Sequence, residues 1–242
     1  MSLTLILILT LVCVFTYAVE ITFGLAGTII MLSIMSYFID AKVLVVYSIL
    51  PQILVATIGL YRSPKTVNIK VLANMVGVAA VGSVLGFYVF NRIPVDTFRM
   101  LLAIAIIIFG LYLVIAPGRF KISGLLGSAL DFVAGISQAL FGISGPIAMS
   151  RLIATHTDKL VIRNYALAFF LSLNLFRGVG YAMTGSFSET IIEMMLISAP
   201  ILVITLWYSN HLHFKVKDTH FKRVVAWIIL LGGVSLFFAQ AN

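Results

Sequence analysis

Phe23-Gly-Leu-Ala-Gly-Thr-Ile-Ile-Met31 and Phe141-Gly-Ile-Ser-Gly-Pro-Ile-Ala-Met149 are one short motif written twice, 118 residues apart. Each copy places small residues around a break in apolar sequence. A helix that starts after such a break turns its unbonded N–H groups, and the positive end of its dipole, toward the break. The chemistry on offer is anion binding without any charged side chain. Gly24, Gly27, Gly142 and Gly145 let backbones approach closely. Thr28 and Ser144 add hydroxyls, and Pro146 suits a first-turn position where its missing N–H costs nothing. Close helix packing, Gly24 with Thr28 and Gly142 with Pro146, competes with this reading for either copy alone. Two copies in register favour a site.

Around the motifs stand a few polar groups whose surroundings are otherwise apolar. Glu20 precedes Phe23 by three residues, and Gln138 precedes Phe141 by the same step. A carboxylate there could take a coupling proton and an amide could bind a substrate; a hydrogen bond that closes the hairpin is the alternative for both. Asn174 and Arg177 share a helical face at i, i+3, and a guanidinium suits an oxyanion through paired N–H donors. The alternative for Arg177 is an arginine snorkelling to the membrane interface near the outer end of its helix. Asp131 is a second candidate proton carrier, or the partner of a nearby base. Tyr47 and Tyr165, again 118 apart, are candidate orienting groups. Charged groups inside apolar segments cost about 2.5–3.5 kcal/mol on insertion scales and are functional candidates by default.

The elements that must hold these groups follow from composition. The 242-residue chain is 62% hydrophobic and 10% charged, which excludes an ordinary soluble domain. Apolar stretches near the ~20 residues needed to cross a bilayer follow one another from Leu3 to Ala241. Alternating ~10-residue segments, as in a β-barrel, are absent. The motif register extends to Asp40 and Asp158, Val43 and Val161, and Tyr47 and Tyr165, giving 8 identities over 25 positions. The expected architecture is an all-α integral membrane protein of two homologous inverted repeats, residues 1–118 and 119–242. Each repeat is a glycine-containing helical hairpin, spanning or re-entrant, plus three transmembrane helices, with 8–10 membrane segments in all. The segment Met1 to Ala18 reads as part of the first repeat and not as a cleaved leader, because it lacks a basic n-region and matches Lys121 to Gln138 in register.

Charge placement fits hairpins at the motifs. Connectors then sort into one side with net charge +10 and another with −1. The positive side belongs in the cytoplasm, which leaves both termini outside. The overall charge of +8 is thus a topology signal, and no nucleic-acid partner is expected. Cys13 is the sole cysteine, so no internal disulfide is available. His156, His211, His213 and His220 sit in or beside basic connectors and read as solvated interfacial groups. No metal, cofactor or enzymatic centre is expected, and the chain has no Gly-x-x-x-x-Gly-Lys-Ser/Thr loop for ATP.

These residues resemble the sulfite exporter TauE/SafE family of membrane permeases. The two motifs hold the places of that family's glycine-rich segments, Asp40-Ala-Lys and Asp158-Lys those of its polar turns, and Tyr61-Arg-Ser-Pro-Lys-Thr-Val-Asn68 that of its basic loop. Ala26, Thr28, Ser144 and Pro146 depart from the richer glycine triplets. The resemblance covers essentially the whole chain. It implies a secondary transporter for small sulfur-containing anions, such as sulfite, sulfoacetate and other organosulfonates, in the bacterial inner membrane. Alternating access about a midplane site, coupled to a proton or sodium gradient, is the expected mechanism. An anion channel of the same fold, or a permease for a non-sulfur organic anion, are the alternatives. The partners expected are the anion, the lipid bilayer and the coupling ion, with a homodimer left open.

Overall fold

The computed structural model describes residues 2–23, 26–61, 63, 66–115, 124–212 and 218–238, and all regular structure among them is helical. In chain order the helices are α1 (Leu3–Phe23), α2 (Gly27–Met35), α3 (Ala41–Tyr47), α4 (Ile49–Tyr61), α5 (Ile69–Arg92), α6 (Val95–Ile115), α7 (Gly124–Phe141), α8 (Gly145–Thr155), α9 (Lys159–Met183), α10 (Glu189–Leu212) and α11 (Asp218–Phe238). Seven spans among the described residues are long and apolar enough to cross a membrane. They fall on α1, on α3 and α4 together, and on α5, α6, α7, α9 and α10. The short helices α2 and α8, of 9 and 11 residues, rise only about 14 and 17 Å. That is roughly half the ~30 Å hydrocarbon thickness, so the second arm of each hairpin is too short to cross.

Element boundaries recur at the sequence offset. Phe23 and Phe141 end α1 and α7, Gly27 and Gly145 begin α2 and α8, and Ala41 and Lys159 begin α3 and α9. The aspartates of the repeated turn explain the last pair. Asp40 accepts from the N–H of Lys42 (2.7 Å) and Val43 (3.4 Å), and Asp158 from those of Leu160 (2.7 Å) and Val161 (3.1 Å). Each carboxylate satisfies donors that the first helical turn leaves unbonded. The copies differ about two turns later. Pro51 has no N–H and its ring opposes the carbonyl four residues back, so a break at Ser48 separates α3 from α4, whereas α9 runs unbroken.

Packing partners are exchanged between the copies. Helix α5 lies against α7, and its counterpart α10 lies against α1. The pairs α4 with α9 and α6 with α11 each join one helix to its own counterpart. Both of these pairs run antiparallel: Ile49 lies beside Gly178 and Gly59 beside Leu167, while Gly110 lies beside Leu230 and Gly233 beside Ile106. Antiparallel pairing of equivalent helices is consistent with inverted repeats. Where α5 crosses α7 the backbones touch: a Cβ on Gly82 would land on the carbonyl of Phe132, and one on Gly135 on the carbonyl of Ala79. Helix pairs in lipid associate through small residues of this kind. The remaining faces, such as Val81, Val84, Leu85 and Tyr88 on α5, are apolar and exposed, as a lipid-facing surface requires.

The boundary expected near Gly118 and Arg119 lies outside the described residues, as do Gly24, Arg62, Lys65, Lys121, His213, Lys215 and Lys217.

Candidate functional site

The two hairpin ends converge on one cavity. It is about 30 Å³ in volume and is lined by Glu20, Ala26, Thr28 and Ile29 of the first hairpin and by Gln138, Gly142, Ile143, Ser144, Gly145 and Pro146 of the second. Gln52 of α4 and Phe170 of α9 complete the wall. That volume holds about two or three waters, or one small anion after modest adjustment of its walls.

The first tip turns through Ala26, which has φ 85°, the one non-glycine residue among those described with positive φ. Helix α2 then starts without a capping side chain of its own. The carboxylate of Glu20 takes that role from the preceding arm, accepting from the Thr28 N–H at 3.0 Å and from its hydroxyl at 3.5 Å. Gly27 makes room for it, since a Cβ there would lie 2.5 Å from the Glu20 Oε2. The second tip turns at Gly142, φ 72°, and Pro146 lies in the first turn of α8. Its counterpart of Glu20 behaves differently. Gln138 accepts from the Ser144 hydroxyl at 2.7 Å through Oε1 and leaves the first N–H groups of α8, at Gly145 and Ile147, without an acceptor among the described residues.

Amides join the two tips. Gln52 Nε2 donates to the Thr28 hydroxyl (2.5 Å) and to the Gly142 carbonyl (2.8 Å), and Gln52 Oε1 accepts from Gln138 Nε2 (2.8 Å). Gln138 Nε2 also donates to Asn174 Oδ1 at 3.0 Å. Gln52, Gln138 and Asn174 are 5%, 2% and 0% exposed, so each bond is shielded from water and costly to leave unmade. Tyr17 adds a hydroxyl contact to Thr28 at 3.2 Å.

Arg177 sits directly behind the second tip. A Cβ on Gly142 would lie 2.6 Å from its Nη1. The guanidinium donates to the carbonyls of Gln138 (3.2 Å) and Val45 (3.0 Å) and to the Ser48 hydroxyl (2.7 Å). Two of these acceptors belong to the α3–α4 break, so the proline that interrupts the helix also creates a seat for the arginine. At 1% exposure Arg177 does not snorkel. Every one of its acceptors is neutral, and no carboxylate is paired with it among the described residues.

Other expected residues lie elsewhere. Phe141 packs on Phe98, with ring centres 5.7 Å apart, and does not line the cavity. Tyr47 donates to Ser198 (2.8 Å), and Tyr165 accepts from the Asn68 N–H (2.9 Å) and stacks near His156. Both tyrosines tie helices together away from the tips. Asp131, 1% exposed, forms an ion pair with Arg151 of the same hairpin. It takes the structural alternative and not a place at the cavity. Nothing is described for the Phe23 side chain or for Gly24. Gln52, Tyr17 and Ser48 were not anticipated. An amide beside a proline inside an apolar span was the available signal for Gln52.

Paired broken hairpins enclosing a buried polar pocket, within a shell of membrane-length helices, define a multi-pass membrane protein of the transporter class. The model of one family, Sulfite exporter TauE/SafE, matches residues 9–236. The chain belongs to that family. No curated protein and no solved structure matches it.

Proposed function

We propose that the chain is a secondary permease that moves small sulfur-containing anions, of the sulfite and organosulfonate class, by alternating access around the cavity between the two tips. The observation that carries this reading is the convergence of both tips on one pocket, with the Arg177 guanidinium packed behind Gly142 of its wall. An oxyanion there would be met by the free N–H of Gly145, and the Ser144 hydroxyl and the amides of Gln52 and Gln138 would join it by exchanging their present hydrogen bonds for the ligand. None of these demands a fixed number of charges on the ligand, which suits sulfite and sulfonates alike. The antiparallel pairing of equivalent helices supports two inverted repeats, 1–118 and 119–242, that could rock against each other about this point. With the basic connectors in the cytoplasm of a bacterial inner membrane, both termini face outward.

The test is thermal stability of the purified protein with sulfite, sulfate, thiosulfate, sulfoacetate, taurine, acetate and chloride. A ligand that binds only the folded state raises the melting temperature by mass action. Selective stabilisation by a sulfur oxyanion or sulfonate is expected. Stabilisation by acetate alone would keep the transporter and overturn its substrate class.

A further inference from the structure

We propose that Glu20 couples transport to protons by competing with the substrate: its carboxylate occupies the first tip when ionised and yields the Thr28 N–H to the anion when protonated. The proposal rests on the permease reading above and assigns its coupling group.

The geometry is that of an internal stand-in for the substrate. Glu20 Oε2 lies at the start of α2, accepts from the Thr28 N–H at 3.0 Å and reaches the Thr28 hydroxyl, which is also held by Gln52. It lines the same cavity as Gly145, whose N–H has no acceptor among the described residues. A second anion arriving in that cavity meets a negative charge already seated at one of its two tips. Two anions cannot share so small a space cheaply, so entry of the substrate favours a proton on Glu20. A neutral carboxyl loses about half of its hold on a backbone N–H, so an anion outcompetes it and Thr28 becomes a donor to the substrate. One proton and one anion then occupy the cavity together and leave together, and Glu20 returns to Thr28.

Nothing else at the site can take this part. Gln138, at the equivalent position of the second hairpin, does not ionise. Of the elements packed on α1, α2 presents Thr28 and α4 presents Gln52, both neutral, and α10 has its two acidic residues, Glu189 and Glu193, on the exposed surface. Among the described residues Tyr17, on the preceding turn of α1, is the titratable side chain that interacts electrostatically with Glu20. No base is paired with Glu20: the ion pair among the described residues is Arg151 with Asp131. A carboxylate whose only role was to close the hairpin would be served equally by the amide used in the other copy.

Calorimetric titration of wild type and Glu20→Gln with sulfite, in two buffers of different ionisation enthalpy, counts protons taken up per anion bound. Protonation of sulfite itself contributes equally to both proteins and cancels in the difference. At a pH where Glu20 is ionised in the free protein, wild type is expected to take up about one proton more than Glu20→Gln, and the variant is expected to bind sulfite with an affinity that no longer rises as pH falls beyond what sulfite's own titration gives. Equal proton uptake by the two proteins would overturn the coupling role and leave the permease reading intact. Absence of sulfite binding to wild type would overturn the substrate reading first. Infrared difference spectra of wild type alone give a second readout that needs no variant. Sulfite should produce a protonated-carboxyl band, and its absence would also refute the proposal.

Discussion

Replacing Arg177 by methionine separates the electrostatic role of this residue from its structural one. Every acceptor it serves keeps another partner or a donor role. The Gln138 carbonyl still accepts from the Gly142 N–H at 2.9 Å, and the Val45 carbonyl still accepts from the Ser48 hydroxyl at 2.7 Å. No buried acceptor is orphaned, and an uncompensated buried charge is removed, so the variant should lose only about 1–3 kcal/mol of stability. Anion binding should suffer much more. The guanidinium touches Gly142, which lines the cavity, so a bound anion lies about one backbone thickness beyond it. At about 6 Å and an effective dielectric of about 20, two unit charges attract by about 2.8 kcal/mol, or roughly 100-fold in dissociation constant. Arg177→Lys keeps the charge and loses the fork geometry, so its loss should stay within about 10-fold. Titration calorimetry with sulfite on the detergent-purified proteins reads both values. A folded Arg177→Met protein that binds sulfite within about 3-fold of wild type would refute the claim that this charge serves the cavity.

Gly142→Leu should abolish sulfite-induced stabilisation, because φ 72° disfavours any side chain and the new Cβ would lie 2.6 Å from Arg177 Nη1 and 3.0 Å from Ser48 Oγ; retained transport in proteoliposomes would contradict this. Ala26→Gly removes a left-handed strain of about 1–2 kcal/mol, partly offset by glycine's greater freedom when unfolded, so the melting temperature should rise by a few degrees and not fall. Asp131→Asn leaves Arg151 without its buried partner and should destabilise by about 3–5 kcal/mol, whereas Asp131→Leu combined with Arg151→Met should recover most of the loss. Thermal melts of the single and double variants check this, and an equally unstable double variant would show that the pair does more than cancel its own charges.

Several of these features are legible in the chain itself. The recurrence of Asp40 and Asp158 marks two helix starts because a short carboxylate before an apolar run has one efficient use, capping. Glycines at the two motifs mark the tips for an equally local reason. Glu20 and Gln138 were placed at the tips by register, and the hairpin bond expected of them as an alternative is formed, though to a backbone N–H in one copy and to a hydroxyl in the other. Gln52 was not foreseen, since its role depends on which way α4 turns between two hairpins far away in sequence. Arg177 reads at sequence level as an interfacial residue, because its acceptors come from a helix break more than 120 residues earlier. Gly82 and Gly135 look like ordinary small residues until α5 and α7 are seen in contact. Local hydrogen bonding is written in neighbouring residues; convergence of separate helices is not.

The exchange of packing partners has a consequence for assembly. Helix α1 leans mainly on α10 and α7 mainly on α5, so the principal cover of each hairpin comes from the other half of the chain. Either half alone would leave the main face of its hairpin uncovered and could bury it only against a second chain. Carrying both halves in one chain makes that burial intramolecular and independent of protein concentration. The two tips themselves differ, with an acid on one side and an amide on the other.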